Sequence, residues 1–247
     1  MKRLELFFCL VIILAGLLVY FNALDNEFVW DDSLWVTNNV CLRDGSSVKD
    51  ILTTDLLSKP GRKFDYYRPV QMLSLMLDYR FYGLNAFGYH LTNLIIHILA
   101  GLSLFCLLNL LFKDSLLSFI ASLLFVVHPL QTSAVSYISG RADPLCALFL
   151  IMSFIMFISY RGSKKLKFYI FSFILFVMAV LSKEIALVFP PFLFLYDWRQ
   201  LNSSGRDKVI ACLPFAAFFG VYYFLRRLAI GAAAAAPHKF SLLARIP

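Results

Sequence analysis

The amino-acid sequence predicts an all-α membrane protein, a polytopic helical bundle with about seven transmembrane helices, and three observations support this prediction. First, 60% of the 247 residues are hydrophobic and 15% are charged, whereas soluble domains carry about 25% charged residues. Second, long apolar stretches recur along the chain, and a spanning helix needs about 20 apolar residues. Third, basic residues collect between alternate apolar stretches, as the positive-inside rule predicts. These observations exclude a soluble enzyme with one compact core.

The predicted spans follow one another along the chain. The first, at residues 6–24, comes after Lys2 and Arg3. It is longer than the apolar core of a cleavable signal peptide, which has about 7–15 residues, so we expect an uncleaved helix with a cytoplasmic N-terminus. Further clear spans lie at residues 89–112, 144–160 and 209–225. Two other apolar stretches are interrupted by polar residues, and each is either one long helix or a hairpin: 115–160 and 168–196.

Charge decides between these alternatives. Lys113, the basic residues of 161–167 and those of 199–208 fall on one side of the membrane only if both stretches are hairpins. This topology has seven spans, and it makes residues 1–247 a single transmembrane module.

A large first loop, residues 25–88, lies outside the membrane in this topology. Apolar residues near helical spacing predict a short helix at residues 48–56. A second helix is expected to begin at Pro69, because proline is favourable at the first helical position, and to run through Leu77. Both helices are expected to lie on the membrane surface.

Two adjacent carboxylates, Asp31 and Asp32, follow the first span by only a few residues. This places them at the outer membrane boundary, where a lipid-borne substrate presents its headgroup. A carboxylate there can accept a proton from an attacking hydroxyl, while its neighbour raises its basicity or holds a divalent cation. The alternative is a solvated acidic pair or a helix cap.

Arg68 stands at the start of the second surface helix, where the amides of the helix end would add to its attraction for a phosphate. The alternative is a contact with a lipid headgroup. His90, Asn93 and His97 share one face of the second span, which should therefore face other helices. For each histidine we favour packing or an interhelical hydrogen bond over direct catalysis.

The outer turn at residues 128–143 contains a histidine, an arginine and an aspartate, and a lysine with a glutamate follows the fifth span. Structural ion pairs, Arg141 with Asp143 and Lys183 with Glu184, are the alternatives to a functional role. A polar cavity that opens outward explains why separate segments place ionisable residues on the same side of the membrane: Asp31, Asp32, Arg68, His90, His128, Arg141, Asp143, Lys183 and Glu184.

Five segments together resemble the GT-C class of membrane glycosyltransferases. The branch that they resemble contains the transmembrane and TPR-repeat O-mannosyltransferases and their bacterial relatives. The segments occur in the order of that family: FVWDD at 28–32, YRPV at 67–70, GYHLTNLIIH at 88–97, HPLQTSAVSYISGRADPL at 128–145 and LSKE at 181–184.

The resemblance implies transfer of a sugar from a polyprenyl-phosphate carrier to an acceptor hydroxyl, on a protein or a glycan, at the non-cytoplasmic face. It implies that Asp31 is the base or a metal partner, with Asp32 beside it. Arg68, Arg141 and Lys183 are then expected to hold the carrier phosphate, because cations stabilise the charge on that leaving group. The supporting residues in this assignment are His90, His97, His128, Asp143 and Glu184.

No cofactor is certain from the sequence, and a divalent cation, Mg²⁺ or Mn²⁺, is left open because no spacing of carboxylates and histidines defines a metal site. The expected location is the bacterial plasma membrane, or the ER membrane in a eukaryote. Nucleic-acid binding is not expected, because cytoplasmic loops facing anionic lipid account for the net charge of +8.

Two departures from the family pattern favour a rival function. Gln131 and Ser133 stand where relatives commonly carry a His and a Glu. The family continues through several more spans and often a TPR array, so we expect the outer tail at residues 226–247 to be truncated. A non-catalytic truncated relative, or a membrane subunit that binds lipid carriers, is the alternative function. A transporter is a third class, but it gives no reason for a long outer loop with an acidic pair.

Overall fold

The chain folds as a bundle of α-helices. The computed structural model describes residues 3–39, 42, 48–53, 66–200 and 204–235, and these ranges contain no β-strand. The all-α fold class is therefore confirmed. The helices are α1 (Arg3–Tyr20), α2 (Val48–Thr53), α3 (Pro69–Tyr82), α4 (Ala86–Phe112), α5 (Ser115–Val127), α6 (Thr132–Val135), α7 (Ala142–Ser163), α8 (Leu166–Ser182), α9 (Phe189–Gln200) and α10 (Gly205–Ala235).

Several of these helices can cross a membrane. Four segments of the described chain are long and apolar enough: Arg3–Asp25, Ala86–Phe112, Ile138–Ser163 and Gly205–Gly231. A fifth is added if α5 and the bent segment Pro129–Val135, which lie at 49° to each other, form one broken span. α8 is apolar but shorter. The multi-pass class is confirmed, and the predicted total of seven spans depends on the shorter helices α5, α8 and α9.

Contacts at both ends of α7 and α8 show that these two consecutive helices run in opposite directions. Tyr160 of α7 packs on Tyr169 of α8 close to their junction, with ring centroids 4.9 Å apart. At the other ends of the same helices, the Lys183 Nζ lies 2.5 Å from the Asp143 Oδ1. Both interrupted stretches are broken where the sequence predicts it. We call the end of the bundle that carries residues 21–39, 66–86, 128–143 and 183–188 the loop end.

The two predicted surface helices lie in the first loop. α3 begins at Pro69, and α2 covers the described part of the predicted 48–56 helix. Residues 54–56 of that prediction lie outside the described residues. The predicted outer tail starts as helix, because α10 continues to Ala235; residues 236–247 are outside the described chain.

Aromatic side chains fill the centre of the larger half of the bundle. Phe157, Phe176 and Phe215 are wholly buried and come from α7, α8 and α10. The Phe215 ring lies 6.0 Å from Phe157 and 5.3 Å from Phe176 by centroid distance. Such inclined ring contacts add about 0.5–1.5 kcal/mol per pair to the burial of the rings. They fix the relative positions of α7, α8 and α10.

In the other half, a glycine permits close helix packing. A Cβ added to Gly101 of α4 would lie 2.2 Å from the Val126 Cγ2 of α5. We expect Gly101→Ala to lower stability by about 1–3 kcal/mol, because a filled interface must be forced apart. Thermal unfolding of the purified chain checks this, and Gly162→Ala, where the added Cβ meets nothing within 4 Å, is the control. Val126→Ala in the same chain should restore most of the loss. An unchanged midpoint for Gly101→Ala contradicts the prediction.

Candidate functional site

Asp32 joins the first loop to the turn before α7. Its side chain is fully buried. Oδ1 accepts hydrogen bonds from the Ser139 backbone N at 2.8 Å and from the Ser139 Oγ at 2.5 Å, and Oδ2 accepts one from the Val29 backbone N at 3.0 Å. Because both oxygens are bound by donors of the protein, Asp32 is an anchor between two segments that are distant in sequence.

Asp31 has the opposite environment, because it is exposed. The residue before it, Trp30, has a φ of +47°, a left-handed conformation that is uncommon for a bulky side chain. Asp32 has a helical backbone, with φ −59° and ψ −29°, and adjacent side chains of a helical turn diverge by about 100°. Asp32 therefore faces the interior while Asp31 faces outward. The Trp30 ring is 83% exposed and lies edge-on to Tyr137 at 5.8 Å.

Tyr137 lies next to this exposed carboxylate. Burial, together with the negative charges of Asp31 and Asp32 nearby, raises the pKa of Tyr137 to about 12. The phenol is therefore protonated at neutral pH and can act as a donor. Of the two adjacent carboxylates, Asp31 is the one that a substrate can reach.

A second group of charges forms where α3 meets the joint between α8 and α9. The Arg68 Nε lies 3.1 Å from the Glu184 Oε2, and its Nη2 lies 2.9 Å from Oε1, so the guanidinium binds the carboxylate with two parallel hydrogen bonds. The Tyr66 ring lies 4.7 Å from the guanidinium carbon. Burial acts to raise the pKa of Glu184, but the Arg68 hydrogen bonds and the charges of Arg68 and Arg226 outweigh it, and the pKa lies below its ordinary value.

The ion-pair partners differ from the sequence alternatives. Lys183 pairs with Asp143, not with Glu184, and Arg141 does not pair with Asp143. The reason is local geometry: Lys183 has an extended backbone, with φ −155° and ψ 132°. Adjacent side chains of an extended chain point to opposite sides, so Lys183 and Glu184 reach different helices.

Arg141 lies wholly inside the bundle. Its Nη2 is 2.6 Å from the Asp78 Oδ2 and donates to the Tyr89 carbonyl at 2.9 Å, and its Nε donates to the Asn93 Oδ1 at 2.5 Å. The sequence analysis expects Arg141 to hold the carrier phosphate. In the structure, acceptors of the protein itself enclose the guanidinium instead.

The histidines occupy three different environments. His97 is buried, with Nε2 3.0 Å from the Val126 carbonyl, and its ring is edge-on to Tyr20 at 5.6 Å. His90 is 1% exposed and lies beside the backbone of Asn26. His128 is exposed, and its Nδ1 accepts a hydrogen bond from the Leu130 backbone N at 3.2 Å, which caps the turn Pro129–Gln131.

A chain of hydrogen bonds connects the two groups of site residues. The Gln71 Nε2 donates to the Ser139 carbonyl at 2.8 Å, and Ser139 also donates to Asp32. Gln71 lies about one helical turn after Arg68 on α3. The Asp32 carboxylate and the start of α3, which follows Arg68, are therefore linked through Ser139 and Gln71 at the loop end.

Sequence reasoning did not identify several residues of this site. Tyr137, Ser139 and Gln71 are uncharged, and their role depends on contacts across the fold. Asp78 resembles any solvated acid of a surface helix. Arg226 follows directly after the predicted last span, and only the structure places it inside the helix α10.

A ready-made metal site is absent from the described ranges. Within them, no group of three or more His, Cys, Asp or Glu side chains is placed to hold a metal ion. The Mg²⁺ or Mn²⁺ that the sequence left open is not assigned ligands here.

Curated protein O-mannosyl-transferases are similar to this chain. One from Caenorhabditis elegans is 30% identical over 217 residues, which cover 85% of this chain and 31% of the relative. TMTC1 of Homo sapiens is 32% identical over 209 residues, or 78% of this chain and 24% of the relative. TMTC1 of Mus musculus is 38% identical over 155 residues, or 60% and 16%.

No protein-family model and no solved structure matches the chain. The chain spans less than a third of the length of the curated relatives described above. The aligned part nevertheless covers most of this chain in the worm and human relatives. The resemblance of the five sequence segments to the O-mannosyltransferase-like branch of the GT-C membrane glycosyltransferases is thereby confirmed.

Proposed function

We propose that this chain transfers a sugar from a polyprenyl-phosphate carrier to an acceptor hydroxyl at the non-cytoplasmic membrane face. The observation that carries the proposal is the arrangement of the loop end. There an exposed carboxylate, Asp31, and two partly exposed cations, Arg68 and Lys183, lie at the same end of the bundle. The names of the relatives favour mannose as the sugar and a protein as the acceptor.

The proposed step needs one base and one anion site. The acceptor oxygen forms a bond to the anomeric carbon while the bond from that carbon to the phosphate oxygen breaks. Asp31 accepts the proton of the acceptor hydroxyl. The carrier phosphate leaves with the electron pair, and Arg68 and Lys183 stabilise its charge. Asp32 does not take part in proton transfer, because it holds the turn before α7 in place.

The charges at the two ends of the bundle favour one orientation. Exposed basic side chains cluster at the end opposite the loop end: Lys113, Lys164, Lys165, Lys167, Arg199 and Arg206. Under the positive-inside rule this end is cytoplasmic. The N-terminus of α1 is then cytoplasmic and the loop at residues 25–88 is outside. A bacterial plasma membrane or an ER membrane would both present a polyprenyl carrier to this face.

A transfer assay tests the proposal. The purified chain in lipid nanodiscs is mixed with polyprenyl-phosphate mannose, labelled in the sugar, and a peptide containing serine and threonine. Labelled peptide is the expected product. Binding of the carrier without transfer would favour a carrier-binding subunit. Ser133 supports that alternative function, because its hydroxyl donates locally to the Leu130 carbonyl at 3.4 Å. Flux of substrate into proteoliposomes would favour a transporter.

Arg68 gives a binding prediction. We expect Arg68→Gln to weaken binding of a polyprenyl phosphate by about tenfold to a hundredfold, because a charge-assisted hydrogen bond contributes roughly 1.5–3 kcal/mol. Native mass spectrometry or lipid competition measures the change. Arg80→Gln is the matched control, since Arg80 is exposed in the last turn of the same helix. Equal binding by both variants would remove Arg68 from the phosphate site.

A further inference from the structure

Glu184 fills the position on Arg68 that a phosphate would use. The carboxylate binds two nitrogens of the guanidinium, Nε and Nη2, at 3.1 and 2.9 Å. A phosphodiester also carries one negative charge, and its two free oxygens fit the same planar fork. Arg68 cannot offer both nitrogens to a carboxylate and to a phosphate at once.

We propose that Glu184 is an internal stand-in for the carrier phosphate: its carboxylate binds the Arg68 guanidinium until the phosphate displaces it. This inference rests on the proposed function. It makes Glu184 a competitor of the substrate at its own site, in addition to any structural role of the ion pair.

The position of Glu184 allows this displacement. It begins the 3₁₀ turn Glu184–Val188, which joins α8 to α9, so it is not inside either helix. Its side chain is 39% exposed, whereas that of Arg68 is 13% exposed. The carboxylate can therefore move toward water while the guanidinium stays partly enclosed.

Arg68 has supports that do not depend on Glu184. The Tyr66 ring lies on its guanidinium. The neighbouring residue Tyr67 is fixed twice, because its hydroxyl donates to the Leu52 carbonyl at 2.7 Å and its carbonyl accepts from the Tyr222 hydroxyl at 3.4 Å. These contacts hold the start of α3, so the fork remains in place when the carboxylate leaves.

The displaced carboxylate keeps a favourable environment. The positive charge of Arg226 also acts on Glu184, and Tyr222, one helical turn earlier on α10, lies among the same charges. The released Glu184 therefore stays near a cation. The competition then weakens carrier binding without abolishing it, which favours release of the spent polyprenyl phosphate.

The test measures binding of polyprenyl phosphate to the full chain in nanodiscs of neutral lipid. Glu184→Gln removes the charge and keeps the size of the side chain, so we expect affinity to rise by about tenfold. Glu27→Gln is the matched control, because Glu27 is an exposed acid of the same loop end, and it should change affinity by less than about twofold. In Arg68→Gln the added Glu184→Gln change should give no gain.

Equal or weaker binding by a folded Glu184→Gln chain overturns the stand-in role. If that variant does not fold, Glu184→Asp replaces it: the shorter acid keeps the charge but cannot reach both nitrogens well, and a gain of about threefold is expected. An unchanged affinity for a folded Glu184→Asp chain then overturns the inference. If neither the wild type nor a folded variant binds polyprenyl phosphate, the proposed function falls as well. If the wild type binds and the variants are not tighter, only the stand-in role falls.

Discussion

Replacement of Arg141 with methionine is expected to destabilise the bundle by about 3–5 kcal/mol, because removal of one member of a buried ion pair leaves the other charge without compensation. The guanidinium is wholly buried and lies 2.6 Å from Asp78, whose side chain is 8% exposed. Methionine has a similar length but no donor for the Asp78 carboxylate, the Asn93 amide oxygen or the Tyr89 carbonyl. Thermal unfolding of the purified chain in detergent measures the loss.

Two further variants separate this effect from a general effect of arginine removal. Arg80→Met should leave the unfolding midpoint nearly unchanged, since Arg80 is exposed. In the double variant Arg141→Met with Asp78→Leu, both charges are gone, and much of the stability should return. A midpoint for Arg141→Met that equals that of the wild type would contradict the buried pair.

Conversion of Asp31 to asparagine is expected to reduce sugar transfer by about 10² or more while carrier binding persists. Asparagine keeps the shape of the side chain but cannot take the proton of an acceptor hydroxyl. Asp31 is exposed, so the change should not alter the unfolding midpoint. Both quantities are measured on the same preparation: turnover should fall, and the affinity for the carrier should stay the same.

Asp32→Asn should have a different signature. Its oxygens accept bonds from Ser139 and Val29, and an amide nitrogen in place of one oxygen would face an N–H donor. We therefore expect a stability loss of about 1–3 kcal/mol, with activity falling as the turn before α7 loosens. Asp25→Asn, an exposed acid of the same loop, is the control for both variants. The assignment of the base fails if an active chain with Asp31→Asn keeps its turnover.

Much of the fold could be predicted from the sequence because membrane helices are determined by local properties. Apolar length locates the helices, and polar interruptions locate the breaks at His128 and Lys183. The sequence also predicts that the ionisable residues lie at the same end of the bundle. Consecutive helices alternate in direction, so the number of breaks decides at which end each loop lies. These predictions depend on segments of the chain taken one at a time.

The side-chain partners could not be predicted in the same way. Arg141 has Asp143 two residues away, yet its partner is Asp78 on α3. The sequence shows which charges are neighbours along the chain, whereas the fold decides which are neighbours in space. The burial of Asp32 also escaped prediction, since it depends on a contact with Ser139, which is distant in sequence.

Lys183 and Glu184 are consecutive residues, yet they connect the joint between α8 and α9 to α7 and to α3 respectively. Their opposite directions depend on the extended backbone at Lys183, directly before the 3₁₀ turn that begins at Glu184. An insertion or deletion of one residue at this joint would turn both side chains away from their ion-pair partners. The joint therefore tolerates exchange of residue type, such as arginine for Lys183, more readily than a change in length. In diverging copies of this chain, the number of residues between α8 and α9 should be preserved longer than their identity.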